Sequence, residues 1–597
     1  MPLSQSLPGT QITDLVTSTI KVGGTAVSTQ YQVASIIVQN EVNRIPAAKI
    51  IIYDGDAAAQ DFSVSNEATF VPGAEIEITV GYHSDETSIF SGIILRHSLK
   101  IRDHASPMLI LDCRDKAVKM TIARKNKYFY NTKDSEAAED IINTYQLTSA
   151  IDDTSVQYES IVQYDCTDWD FILSRMEANG MLCVTSAGKI TAKKPDLSGN
   201  TVLDAVFGAT ILEFDADLDA SNQYGGITAK TWDFASQDIN SVNAQEPGFT
   251  ENGNISGTTL ADVLGISEYD LFVGEEITEN ELQNWADARL QKARLSRCRG
   301  RARFRGYAPL DPGNLINVGG VGDRFNGKVF VSAVRHEIVK GVWTTDAQFG
   351  LANELSIRQP EFHSPPAAEM LPSTQGLQIG IVTKLESDPG SENRIQVRLP
   401  IIDPNEDGIW MRIASLDAGN NRGMFFLPEI GDEVVVGFVN NDPRYPVVLG
   451  MLNSSAKPAP LTASDQNDEK GYTSRSGIKM IFNDSENSLV IQTPAGKKVT
   501  ISDSDGVVTV EDENGNKVSM DASSVSVVSA ADMSLKATGD LTIEAVNITL
   551  SPSSSFSLSA GGASMSAGSG AVSISAATLD LEGSGTTTVK GGVVMIN

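Results

Sequence analysis

Apolar and polar residues alternate at every second position through most of the chain, the period of a strand with one buried face. Near the start, "YQVASIIVQNEVNRIPAAKIIIYDG" and "AEIEITVGYHSDETSIFSGIILRHSLKI" carry this pattern. The period then changes. "SEAAEDIINTYQL" and "QYDCTDWDFILSRMEANGML" read as helices, the second with Ile172, Leu173 and Met176 on one face and Gly180 as its stop. "ITENELQNWADARLQKARLSR" predicts a further helix starting at Thr278. It runs into "RCRGRARFRGY", where Arg297, Arg299, Arg301, Arg303 and Arg305 alternate and so share one face of a strand. "PLDPGNLINV" and "GKVFVSAVRHEIVKGVWTTDAQF" return to strand alternation.

Pro365, Pro366 and Pro372 mark a boundary. Beyond it five strands are predicted, at Gln378–Leu385, Arg394–Leu399, Ile409–Arg412, Glu433–Phe438 and Pro446–Met451. Their number and length suit a small OB-type barrel. "SLVIQTPAGKKVTISDSDGVVTVEDENGNKVSM" then alternates over longer strands, with turns at Pro494-Ala495-Gly496, Asp505-Gly506 and Asn514-Gly515. The domains expected are 1–370, 376–455 (the OB barrel), a linker over 456–475, and 476–597.

The C-terminal stretch is a repeat. Apolar pairs with one residue between them recur as Met533/Leu535, Leu541/Ile543, Ile548/Leu550, Phe556/Leu558, Ala563/Met565, Val572/Ile574, Leu579/Leu581, Thr587/Val589 and Val594/Ile596. Ala545 to Leu579 holds no charge, which suits a Ser/Gly linker. A linker has no reason to keep apolar residues in step over nine cycles. Each repeat reads as a short strand with a corner, too short to wrap its own core. A single-chain solenoid stays open. The reading preferred is three chains winding into a triangular prism, a triple-stranded β-helix whose core is Leu535, Ile543, Leu550, Leu558, Met565, Ile574, Leu581 and Val589. At about 4.8 Å per strand, a stack of about ten would rise about 50 Å. The fold class expected is therefore mainly β.

Composition narrows the function. Aromatics are 6% of the 597 residues, glycines number 50 and the formal net charge is −30. That charge argues against a nucleic-acid or anionic-membrane surface as the main partner. Cys113, Cys166, Cys183 and Cys298 form no CxxC pair and read as reduced thiols. "MPLSQSLPGTQITD" lacks the basic and apolar regions of a secretory signal, so synthesis and assembly in the cytoplasm are expected. No run approaches the length of a membrane span.

Catalytic chemistry finds no foothold in the sequence. G-x-S-x-G, HExxH and Walker A motifs are missing, and "GGVGDRF" lacks the Gly-Lys-Ser/Thr ending of a phosphate loop. His83, His97, His104, His336 and His363 have no metal-ligand spacing. Asp503–Gly506 is a turn without the remaining ligands of a calcium loop. Asp168 and Asp170 are explained as helix-starting acids. No catalytic, cofactor-binding or metal-binding residue is expected.

"NRGMFFLPEIGDEVVVGFVNNDPRYPVVLGML" resembles the signature of the VgrG family, the spike proteins of contractile injection systems. The matching residues are Gly423, Phe425, Phe426, Pro428, Gly431-Asp432-Glu433-Val434, Asp442-Pro443, Pro446-Val447 and Gly450. Tyr164, Asp168, Phe171, Leu173, Arg175 and Gly180 match a family pattern in the hub. The resemblance implies two hub β-barrels with inserted helices in residues 1–370, the OB barrel as a neck and a homotrimer. It further implies docking on a hexameric tail-tube protein and on baseplate proteins, possession of effectors, and transient passage through a target membrane. A PAAR-type tip protein would cover the apolar end at Val593, Val594, Met595, Ile596 and Asn597. Such a spike assembles in the cytoplasm and leaves it as part of the particle. A trimeric β-helical adhesin or tailspike and a polysaccharide-degrading enzyme are the alternatives. The adhesin does not explain the barrel signature or the hub, the charge-free Ala545–Leu579 argues against the enzyme, and the few exposed aromatics interleaved with basic residues expected on the barrel argue against nucleic-acid binding.

Overall fold

The computed structural model describes residues 15–233, 236–273, 277–358, 373–554 and 577–596. The chain forms two compact units, Met1–Leu452 and Asn453–Asn597. In the first, the predicted strands at both ends of the hub join one 13-stranded sheet. The link is the strand Gly327–Val339, which pairs antiparallel with Val33–Glu41 and places Ile338 opposite Ile36. Two apolar cores follow from this arrangement. One gathers Ile36, Ile50, Ile78, Leu109 and Leu111 and takes in Ile338 and Trp343 from the far lobe. The other is built on Phe304, Ile316, Val331 and Phe349. The two hub β-barrels implied by the resemblance are thus two lobes with separate cores on one shared sheet, with Ile338 and Trp343 of the second packing into the core of the first.

Helices are inserted between the lobes. α1 spans Asp134–Thr144 and α2 Asp168–Ala178. Together with an antiparallel ribbon, Arg124–Lys133 on Gln157–Thr167, they enclose a core that includes Phe129, Ile142, Ile172 and Met176. The Thr167 hydroxyl caps α2 by accepting from the Asp170 amide at 3.1 Å. Gly180 follows the end of α2 at φ 71°, a conformation glycine adopts without a Cβ penalty. α3 spans Gly257–Leu264, and α4 spans Glu279–Ser296 with Thr278 as its N-cap, as the sequence predicts.

The five strands predicted for the OB segment close into a barrel in the order Gln378–Lys384, Ile395–Arg398, Ile409–Ile413, Pro446–Leu452 and Glu433–Phe438. Val382, Val397, Met411, Val434, Val436 and Val448 fill it. Gly408 sits at φ 88°, where an added Cβ would lie 2.1 Å from the Val397 carbonyl oxygen, so the strand entry requires glycine.

In the second unit, seven strands from Glu469–Thr473 to Val525–Val528 pair consecutively as an antiparallel meander. Its turns include Gly496, Gly506 and Gly515, all with positive φ. The first strand, EKGYT, falls inside 456–475, where a linker was expected. It lacks alternating apolar residues and is held by pairing with Lys479–Asn483. Beyond Val528 the described residues contain no strand.

His336 is buried in the shared sheet, with Nδ1 3.0 Å from the Thr345 hydroxyl and 3.4 Å from the Trp343 indole nitrogen. Burial pushes its pKa down to about 4, although nearby Asp346 favours the charged form. As pH falls below the unfolded value near 6.5, the unfolded chain takes up the proton first, so stability drops until about pH 4. The loss is on the order of 3 kcal/mol. Denaturant unfolding of the hub from pH 7 to 4 is expected to show this extra slope in the wild type and not in His336→Gln. Equal slopes would contradict the assignment.

Candidate functional site

The charged groups that stand out in the sequence are engaged in structure. Asp168 accepts hydrogen bonds from Lys125 and Tyr145, both at 2.6 Å, and from Gln163 at 2.9 Å. Burial pushes its carboxyl pKa up, but these bonds outweigh it and hold the group below the usual range. Asp134, buried at the start of α1, is clamped by Arg175 at 2.6 and 3.1 Å and by Asn179 at 2.8 Å. Carboxylates with their oxygens so occupied anchor the starts of α1 and α2.

The arginine row is likewise satisfied from within. Asp346, nearly buried on Val342–Phe349, receives Arg303 at 2.7 and 2.9 Å, Arg301 at 3.3 Å and Arg335 at 3.4 Å. Burial raises the Asp346 carboxyl pKa, and the Arg303 hydrogen bonds and the three positive charges more than reverse it, so the net shift is downward. Glu213 and Asp215 on the neighbouring strand hold the outer side of Arg301, and Asp219 lies 3.8 Å from Arg299. Arg297 departs from the expected strip. It is the C-cap of α4, and its buried guanidinium donates to the Asn252 carbonyl at 2.6 Å.

The four cysteines are free thiols, and burial pushes Cys113 and Cys183 up to about 12. Among the described residues no group of three His, Cys, Asp or Glu side chains could hold a metal ion. An open cleft of about 690 Å³ is lined by Glu41, Arg44, Arg114, Asp170, Lys292 and Glu354. Arg44 pairs with Glu41 at 3.3 Å, and Lys292 with Glu177.

The unusual feature is exposed apolar surface. The repeat residues Leu535, Ile543, Leu550, Leu581 and Val589 are 63–70% exposed. Leu558, Met565 and Ile574 lie outside the described residues. At the end of the chain Val593, Met595 and Ile596 are 82–88% exposed and Val594 is 45% exposed, while Asn597 is outside the described residues. The barrel also exposes Ile401, Ile402, Leu416, Phe425 and Phe426. Exposed aromatics are thus more numerous there than the sequence suggested, because the Met424-Phe425-Phe426 run lies outside the strands. The adjacent bases are neutralised, Arg422 by Asp417 at 2.7 Å and Arg444 by Asp442 at 2.6 Å. The arrangement places apolar side chains beside paired charges. It offers apolar faces that other protein chains can cover.

Residues 12–340 match the family model described as Alg8 N-terminal domain. Residues 378–452 match the type VI secretion system/phage-baseplate injector OB domain, and 488–555 the phage baseplate V C-terminal trimerisation domain. The type VI secretion system spike protein VgrG1b of Pseudomonas aeruginosa is 24% identical over 360 residues, which is 55% of this chain and 47% of that protein. VgrG1a of the same organism is 22% identical over 365 residues, 55% of this chain and 54% of that one. The chain therefore spans about half the length of these curated relatives. Among solved structures, a tail protein from Neisseria meningitidis aligns with a TM-score of 0.43 at 14% identity, covering 58% of this chain and 99% of that one.

Replacing Asp346 with alanine leaves three arginines around an empty, nearly buried position. The hub is expected to lose about 3 kcal/mol or more in denaturant unfolding. A loss below about 1 kcal/mol would mean that the lattice is a solvated surface pairing.

Proposed function

We propose that three copies of this chain, which belongs to the VgrG spike family and matches the Alg8 N-terminal domain model over residues 12–340, form the central spike of a contractile injection system. The hub docks on a hexameric tail tube and organises the baseplate. The OB barrel forms the neck. The C-terminal repeats wind into a β-prism needle that pierces the target envelope when the tube is driven outward. A PAAR-type tip protein covers Val593, Val594, Met595, Ile596 and Asn597, and effectors travel with the assembly. The spike assembles in the cytoplasm, leaves with the particle and meets the target membrane transiently. It acts mechanically and not as an enzyme, and nucleic acid is not among its partners.

The observation that carries this reading is that the repeat residues Leu535, Ile543, Leu550, Leu581 and Val589, apolar in step, are exposed among the described residues. Each such strand face gains about 25 cal/mol per Å² when another chain buries it. Charges placed there are costly only if the face is buried. Leu550→Asp combined with Leu581→Asp is therefore expected to make the segment beyond Val528 sensitive to protease, while the hub and barrel stay resistant. Undiminished resistance of that segment would overturn the prism register.

A further inference from the structure

The hub carries a small sheet that no assigned role uses. Gly226–Asp233 is its central strand, with Asp238–Asn243 antiparallel on one side and Glu268–Val273 parallel on the other. Ile227, Ala229 and Leu271 share a core with Leu282, Ala286 and Leu290 of α4. The opposite face presents Trp232, Ile239 and Phe272, which are 43%, 58% and 68% exposed. Trp232 lies directly across from Ile239.

The edge beside this face is open in its middle, while at its ends the Ile239 amide donates to Asp238 Oδ1 at 2.8 Å and the Asn243 carbonyl accepts from Gln283 at 3.0 Å. Asp238, Ile239, Asn240, Ser241 and Asn243 are exposed, and among the described strands theirs pairs only with the central one. The strand contains none of the lysine or proline that commonly blunts an edge. Its charge is one-sided as well. Residues 226–281 hold eleven acidic residues, one lysine and no arginine. That lysine, Lys230, is bound to Asp270 at 2.9 Å and sits over the Phe272 ring. Asp233 and Asp238 face each other across the end of the hairpin. Like charges at such a pair repel, and a cation beside them would relieve the repulsion.

We propose that this edge receives an extended segment of a partner protein, added as a fourth strand beside Asp238–Asn243, with apolar side chains alternating with lysines or arginines. The alternation follows from the pleat. Side chains on the Trp232–Ile239 face meet apolar surface. Those on the other face lie alongside Asp238 and toward the side that carries Asp287 of α4, which accepts from the Gln245 amide at 2.7 Å. Main-chain hydrogen bonds to the open edge supply affinity, and the two faces supply selection for a basic, apolar strand.

The test uses the full chain and two synthetic peptides of about ten residues, one alternating lysine with valine and the other glutamate with valine. Hydrogen exchange at residues 238–243 is expected to slow about tenfold with the first peptide and not with the second. Ile239→Lys and, separately, Asp238→Lys are expected to weaken binding of the lysine peptide about tenfold, since both positions are exposed and tolerate the change. Unchanged exchange at 238–243, equal protection by both peptides, or full-strength binding by both variants would overturn the proposal. Protection already present without peptide would also overturn it, because the edge would then be covered by a second copy.

Discussion

Strands with one apolar face need a second layer, and the C-terminal repeats have none within their own chain. Residues 469–528 satisfy their backbones by consecutive pairing, yet Met480, Phe482, Ile491, Ile501 and Val510 remain exposed on that meander. Beyond it, Leu535, Ile543, Leu550, Leu581 and Val589 are uncovered without any strand partner in the described chain. A single chain left in this state would aggregate. Three equivalent chains around an axis bury every such face at once and leave no lateral edge. Small Ser, Thr, Ala and Gly elsewhere in the repeat allow close approach. Interchain burial is thus the condition on which the proposed needle depends.

The hub is held together by different chemistry. Its lobes are tied by one continuous sheet, and the seam is reinforced where Ile338 and Trp343 pack into the opposite core. The charged side chains near it are locked in place, with Asp346 among Arg301, Arg303 and Arg335. Buried carboxylates at the starts of α1 and α2 fix the inserted helices. Removing one partner of such an anchor leaves an unpaired charge in low dielectric, which is costly.

Local features were legible in the sequence. The five barrel strands follow from alternation bounded by turn residues, and each was placed within two residues of its observed ends. Thr278 and Gly180 announce a helix start and a helix stop through capping chemistry that is local by nature. Long-range register was not legible. Nothing near Ile36 indicates that Ile338 will lie opposite it, so the fusion of the hub lobes emerges only in three dimensions. Arg297 was misread for a related reason. Its alternation with Arg299 suggested a strand, but α4 extends to Ser296 and captures the arginine as its cap. The needle core was named from periodicity, and of those positions Leu558, Met565 and Ile574 lie outside the described residues.

The central claim concerns the number of chains. The most direct measurement is the solution mass of the 597-residue chain by light scattering. The account predicts a mass of three chains of 63.8 kDa, persisting on dilution and in mild detergent. A monomer under these conditions would contradict it, since the apolar rows would then have to be covered within a single chain.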